Sequence, residues 1–115
     1  MITAIDHIDV KTPSLADTVG FLSVLGFRPL REGSDSVELS LPGENQVTIE
    51  VREDPALDTV VADHVALRLE GGVEALEDLK ARGISFDRER ATIARTGRIV
   101  SNLRDSHGGK WQLAE

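Results

Sequence analysis

The sequence predicts an α+β fold made of two βαβββ modules, each with one strand, one helix and three further strands. The first observation behind this is a repeat, because the interval from His7 to Gly26 equals the interval from His64 to Gly83. The second is the alternation of apolar and polar residues in the rest of each half, which is typical of strands with one buried face. An open sheet of this size leaves its apolar face uncovered, so the two modules are expected to pack together.

The first module is predicted over residues 1–52. Its helix is expected to begin after Ser14, with Asp17 in the first turn, and to end at Gly26 in a left-handed conformation. The apolar stripe of this helix consists of Leu15, Val19 and Leu22. Strands are predicted at His7 to Val10, from Phe27, at Ser36 to Leu41 and at Gln46 to Val51, with a turn over residues 42–45.

The second module is predicted over residues 63–115, after a linker at residues 53–62. Gly71 and Gly72 interrupt its first strand, and Gly83 ends its helix. The buried stripe of the helix is predicted to be Val73, Leu76 and Leu79. Strands are predicted at His64 to Leu67, from Ile84, at Arg98 to Arg104 and at Lys110 to Leu113, with a turn over residues 105–109. Trp111 shares a strand face with Leu113, so it is expected in the core.

Composition narrows the class of protein. Of the 115 residues, 40% are hydrophobic, which is enough for a packed core. The formal net charge of −7 disfavours nucleic acid and anionic membranes as partners. The chain has no cysteine, which excludes disulfides, thiolate metal sites and a cysteine nucleophile. The start of the chain lacks the pattern of a signal peptide, so a cytoplasmic protein is expected.

Strand alternation places one polar candidate near each end of the two repeats, on the face opposite the apolar residues. These candidates are His7, Glu50, His64 and Gln112. Together they would offer two imidazoles, one carboxylate and one amide oxygen, a set that suits Ni²⁺, Co²⁺, Zn²⁺, Mn²⁺ or Fe²⁺. Gln112 would be the weakest ligand, because a neutral amide is a poorer donor. A bound ion would polarise a carbonyl or lower the pKa of water.

The same residues have a structural interpretation. A histidine on a strand is more often a hydrogen-bonded structural residue than a ligand, and Glu50 alternatively forms a buried pair with an arginine. Four more polar residues are predicted to face the pocket and bind substrate, namely Asp9, Arg68, Arg98 and Asn102. An arginine there would favour a carboxylate or phosphate on the substrate. Alternatively, these four are rim residues or ion pairs of little energetic weight.

Five stretches resemble the vicinal-oxygen-chelate superfamily, which contains glyoxalase I, bleomycin-resistance proteins, methylmalonyl-CoA epimerase and extradiol dioxygenases. They are residues 7–10, residues 21–27 with the sequence FLSVLGF, residues 48–51, residues 63–67 and residues 105–113 with the sequence DSHGGKWQL. The resemblance covers nearly the whole chain. It implies a single domain over residues 1–115, in which both modules form a half-open, barrel-like sheet.

The resemblance also implies roles for residues. In glyoxalase I-like members, the metal ligands lie at the positions of His7, Glu50, His64 and Gln112. Bacterial glyoxalase I usually has glutamate at the fourth position, so only Glu50 remains as the expected proton shuttle. The same departure counts against an extradiol dioxygenase. His107 stands in a turn where the family has aspartate, and it is interpreted as a solvated residue.

Three functional hypotheses follow. The first is a metal-dependent lyase or isomerase resembling glyoxalase I, with Glu50 as the catalytic residue. The second is a metal-free module that binds or sequesters a small molecule, as bleomycin-resistance proteins do, although a chain with one Trp, three Phe and no Tyr offers little aromatic surface for planar drugs. The third is a scaffold with a vestigial pocket. For the first two hypotheses the expected partner is a small molecule. A two-fold symmetric homodimer is expected.

Overall fold

The computed structural model describes residues 1–115 and contains eight strands and two helices. In chain order the elements are β1 (Ile2–Thr12), α1 (Leu15–Val24), β2 (Arg28–Glu32), β3 (Ser36–Ser40), β4 (Thr48–Glu53), β5 (Val61–Leu69), α2 (Gly72–Ala81), β6 (Phe86–Thr92), β7 (Ile99–Arg104) and β8 (Lys110–Ala114). The α+β class and the two βαβββ modules are therefore confirmed. The first strand is longer than predicted, since it continues up to the residue before Pro13.

The chain divides into two compact units. We call His7–Asp63 the N-terminal unit, and Met1–Asp6 together with His64–Glu115 the C-terminal unit. Strand β1 thus begins in one unit and continues in the other. Neither ten-residue helix has the length and apolar character needed to cross a bilayer.

In the N-terminal unit the strand order is β2-β3-β4-β1, with β1 parallel to β4 and the other neighbours antiparallel. Helix α1 packs on one face of this sheet. The buried centre of that packing consists of Val37, Leu39 and Val51, and the half-buried residues around it are Val10, Leu15, Val19, Leu22, Phe27 and Ile49. The predicted apolar stripe of α1 is confirmed, so the opposite face of the sheet is left for polar side chains.

Both ends of α1 follow the sequence signals. The hydroxyl of Ser14 accepts a hydrogen bond of 3.3 Å from the backbone N–H of Asp17, which caps the helix start. A carboxylate oxygen of Glu53 accepts from the N–H of Leu15 at 3.1 Å, so β4 also supports this end. Gly26 has a φ of 107°, the left-handed conformation that ends a helix at little cost only for glycine.

In the C-terminal unit the strand order is β5-β8-β7-β6, with β5 parallel to β8 and the other neighbours antiparallel. Helix α2 covers one face. Its packing joins the buried residues Leu69, Leu76 and Leu113 to Leu67, Ala75, Leu79, Phe86 and Leu103. The unit therefore repeats the arrangement of the N-terminal unit.

Two core predictions in this unit are wrong. Val73 is 52% exposed, because Ala75, Leu76 and Leu79 form the side of α2 that meets the sheet. Trp111 is 39% exposed and lies outside the core cluster. Its indole N–H donates to Asp105 at 2.9 Å, so the turn supplies the polar partner that this ring needs.

Candidate functional site

Three buried carboxylates lie side by side on the polar face of the N-terminal unit. The strand register pairs Glu50 of β4 with Asp9 of β1 on one side and with Glu38 of β3 on the other. All three residues are buried. Helix α1 covers the opposite face of the sheet. The row therefore lies on the face where the candidate site residues were predicted.

Two of these carboxylates are neutralised by arginines. Arg52 donates to Asp9 through Nε and a terminal nitrogen, at 2.8 to 3.1 Å. Burial lowers the pKa of Arg52, but the hydrogen bond and charge of Asp9, with the charges of Asp63 and Asp35, outweigh it and raise the pKa. Glu38 accepts hydrogen bonds from Arg31 at 2.8 Å and from the hydroxyl of Thr48 at 2.9 Å.

The middle carboxylate has a different neighbour. Atom Oε2 of Glu50 lies 3.9 Å from Nε2 of His7, and the two residues are 6% and 2% exposed. Two atoms that each bond a divalent ion at about 2.1 Å can be at most about 4.2 Å apart, so this pair is within reach of a single ion. The buried pair with an arginine, considered above, is made by Asp9 and Glu38, whereas Glu50 lies beside an imidazole.

The C-terminal unit repeats this register. In the N-terminal unit, the residue two positions after His7 pairs with Glu50 across parallel strands. In the C-terminal unit, the residue two positions after His64 is Ala66, and it pairs with Gln112 across parallel strands. The duplication read from the sequence therefore extends to strand pairing, and each unit holds one histidine and one oxygen donor in equivalent positions. The sharing of a single centre by all four residues stays a prediction.

The amide of Gln112 has a defined partner. Its Nε2 donates a hydrogen bond of 3.0 Å to Oδ1 of Asn102, the residue that pairs with it across β7 and β8. Both residues are half-buried. The structure thus brings together a predicted metal ligand, Gln112, and a predicted substrate-binding residue, Asn102. The amide nitrogen of Gln112 is the atom that bonds to Asn102.

The other predicted substrate-binding residues lie in ion pairs. Nε of Arg98 donates to Asp6 at 3.0 Å, and the guanidinium of Arg68 donates to the same carboxylate at 3.4 Å. Asp9 is held by Arg52 as described. These contacts match the alternative interpretation of the residues as ion pairs, and their roles toward a substrate remain predictions.

Sequence reasoning missed Glu38, Arg52 and Asp6. The signal for Glu38 was present, because it occupies a polar position in the strand that the turn at residues 42–45 connects to the strand of Glu50. Arg52 continues the alternation of Thr48 and Glu50, although it was assigned to the end of the first module. Asp6 carries no comparable signal, since its arginine partners lie 62 and 92 residues away along the chain.

The turn before β8 is organised by Asp105. Its carboxylate accepts hydrogen bonds of 2.9 Å from the backbone N–H groups of His107 and Gly109 and from the indole of Trp111. The bond from Trp111, followed by those from Gly109 and His107, lowers the pKa of Asp105 below its ordinary value. His107 is exposed. This turn is therefore built around an ionised carboxylate.

No protein-family model matches the chain, and no curated protein sequence does so at a significant level. Among solved structures, a variant of methylmalonyl-CoA epimerase from Streptomyces coelicolor in complex with 2-nitronate-propionyl-CoA is similar over 99% of this chain and 97% of that chain, with a TM-score of 0.80 and 18% identity. The epimerase from Mycobacterium tuberculosis matches over 99% and 88%, with a TM-score of 0.80 and 17% identity. A hypothetical protein from Bacillus halodurans C-125 matches over 96% and 92%, with a TM-score of 0.73 and 19% identity. At this level of identity the similarity shows a shared fold.

Proposed function

Because the chain has the vicinal-oxygen-chelate fold, we propose that it is a metal-dependent lyase or isomerase that moves a proton on a small molecule, as glyoxalase I-like enzymes do. The observation that carries the proposal is the buried pair of His7 and Glu50 at 3.9 Å. Asp9 and Glu38 are each bonded to an arginine, and Glu50 is the carboxylate of the row that lies beside an imidazole.

The ligands proposed for a divalent ion are His7, Glu50, His64 and Gln112. Two imidazole nitrogens with carboxylate and amide oxygens fit a borderline ion such as Ni²⁺, Co²⁺, Zn²⁺, Mn²⁺ or Fe²⁺. When bound, the ion would polarise a substrate carbonyl. This makes the neighbouring C–H group more acidic and defines where a base must act.

Glu50 is proposed to be that base. Its carboxylate would take a proton from the carbon next to the carbonyl and return it to the same or the adjacent carbon. Burial of Glu50 and His7 keeps bulk water away from the transferred proton. Asp9 and Glu38 lie on either side of Glu50 in the strand register, and each is bonded to an arginine.

The substrate is proposed to be a small molecule with a C–H group next to a carbonyl. One similar structure is an epimerase in complex with methylmalonyl-CoA and NH₄⁺. That compound has such a carbon, so it is a sensible first substrate. Exchange of its C–H proton with D₂O detects the proposed proton transfer even when no product accumulates.

The test combines metal content with proton exchange. Purified protein, loaded with Ni²⁺ or Zn²⁺ and dialysed, is expected to retain one ion per site and to lose it in both His7→Ala and His64→Ala. Glu50→Gln is expected to abolish exchange. His107→Ala is the matched control, because His107 is the remaining histidine of the chain and is exposed on the turn.

The outcomes separate the hypotheses. Absence of metal in every preparation would contradict the proposal. If such a protein still binds a small molecule tightly without turnover, the metal-free binding module is the better description. Loss of metal in His7→Ala alone would show that His64 is not a ligand.

A further inference from the structure

We propose that Asn102 is a positioning residue, which orients the amide of Gln112 so that its carbonyl oxygen, and not its nitrogen, is presented to a divalent cation. This inference rests on the proposed function. The observation behind it is the hydrogen bond of 3.0 Å from Nε2 of Gln112 to Oδ1 of Asn102.

An amide is a better metal ligand when such a partner orients it. Its oxygen can bind a cation, but its NH₂ group carries two donor hydrogens and has no lone pair to offer. Rotation of the terminal amide by half a turn exchanges the two ends. A glutamine without a neighbour that distinguishes them would therefore present the wrong end part of the time, which weakens an already poor ligand.

The fold holds Asn102 in the position where it can make this distinction. Gln112 lies on β8, which is flanked by β5 and β7, and it pairs with Ala66 on one side and with Asn102 on the other. The side chain of Ala66 carries no polar group, so across these strands Asn102 supplies the acceptor. Partners that orient a ligand in this way typically change metal affinity by about 10- to 100-fold when they are removed.

This arrangement also fits the presence of glutamine at residue 112, where bacterial glyoxalase I usually has glutamate. Glutamate, which the resemblance leads us to expect at residue 112, has two equivalent oxygens once ionised and needs no orienting acceptor. Glutamine benefits from one, because its oxygen and nitrogen ends differ. Asn102 is thus expected to matter for metal binding only while residue 112 is an amide, which sets it apart from a residue that merely supports the strand.

The experiment is a double-mutant cycle with Co²⁺ affinity as the readout, measured by calorimetry and by visible absorption. In the wild-type background, Asn102→Leu is expected to weaken Co²⁺ binding about tenfold. In the Gln112→Glu background, the same change is expected to alter the affinity less than about threefold. Arg104→Leu is the control, because Arg104 lies two residues further along β7 and is exposed.

A second variant guards against misfolding of Asn102→Leu. Asn102→Asp keeps an acceptor for the NH₂ group of Gln112. An ionised aspartate cannot donate a hydrogen bond to the amide oxygen of Gln112, whereas asparagine can. It is expected to bind Co²⁺ at least as tightly as the wild type. An affinity as low as that of Gln112→Ala would overturn the inference.

The remaining outcomes are distinct. If the wild type binds Co²⁺ and Asn102→Leu weakens it equally in both backgrounds, Asn102 has only a structural role and the inference fails alone. If the wild type binds neither Co²⁺ nor Ni²⁺, the proposed function and the inference fail together.

Discussion

The guanidinium of Arg52 donates hydrogen bonds of 2.8 to 3.1 Å to the buried carboxylate of Asp9. The side chain of Arg52 is 32% exposed and that of Asp9 is 3% exposed. The arginine is therefore partly in contact with solvent, whereas the anion that it binds is buried. Removal of the cation would leave a buried carboxylate without its compensating charge, which is costly.

Arg52→Met is therefore expected to lower the free energy of unfolding by about 3 kcal/mol. Urea denaturation measures it, and Arg28→Met, at an exposed position of β2, is the control. Addition of Asp9→Asn should recover part of the loss, because the double variant buries no unpaired charge. Strictly additive effects would show that the pair is not coupled.

Glu50 and Glu38 are neighbours with different expected roles. Glu50→Gln is expected to reduce turnover at least 100-fold with little change in the unfolding midpoint, because it removes the proposed base. Glu38→Gln is expected to lower stability, since Arg31 and Thr48 lose an ionised acceptor, while the metal content is kept. Equal losses of turnover in the two variants would argue against a special role for Glu50.

The fluorescence of Trp111 is expected to report the ionisation of Asp105. Trp111 is the single tryptophan of the chain, and its indole bonds the Asp105 carboxylate. The pKa of that carboxyl is lowered in the folded protein, so its stabilising contribution is present above the unfolded value of about 3.9. The contribution is lost as the pH falls through the lower, folded pKa.

An acid titration should thus show a fluorescence transition below pH ~3.9 in the folded protein. In Asp105→Asn the transition should disappear, because an amide does not titrate. A transition of unchanged midpoint in that variant would assign it to another carboxyl group. Near-ultraviolet circular dichroism confirms that the chain is still folded over the range.

Substitution of alanine for each of two glycines is expected to change the stability of the protein in opposite directions. A Cβ atom on Gly109 would lie 3.0 Å from Cγ of Asp105 and would also meet its oxygens, so Gly109→Ala should disturb the turn, lower the unfolding midpoint and change the fluorescence of Trp111. Gly20 lies within α1 and has no atom within 4 Å of the corresponding position. Gly20→Ala should therefore stabilise the protein by about 0.5 to 1 kcal/mol. Thermal unfolding of both variants checks the two signs.

Much of the fold was predictable because it rests on local signals. The Ser14 cap, the Gly26 stop and the alternation in the strands each act over a few residues, and the structure confirms them. The exposure of Val73 and Trp111 was not predictable in this way. Both have the right period for a core face, but the period does not say which side of a helix meets the sheet or whether an indole finds its partner in a turn.

By itself, the sequence determined which side chains share a strand face, and hence that His7, Glu50, His64 and Gln112 occupy equivalent positions in two repeats. Alternation along a strand and duplication are properties of the chain alone. Only the tertiary structure decided the partners: Arg52 for Asp9, Arg31 for Glu38, His7 for Glu50 and Asn102 for Gln112. Ion pairs and hydrogen bonds act over a few ångströms, so they depend on strand order and register, which bring together residues that are distant along the chain.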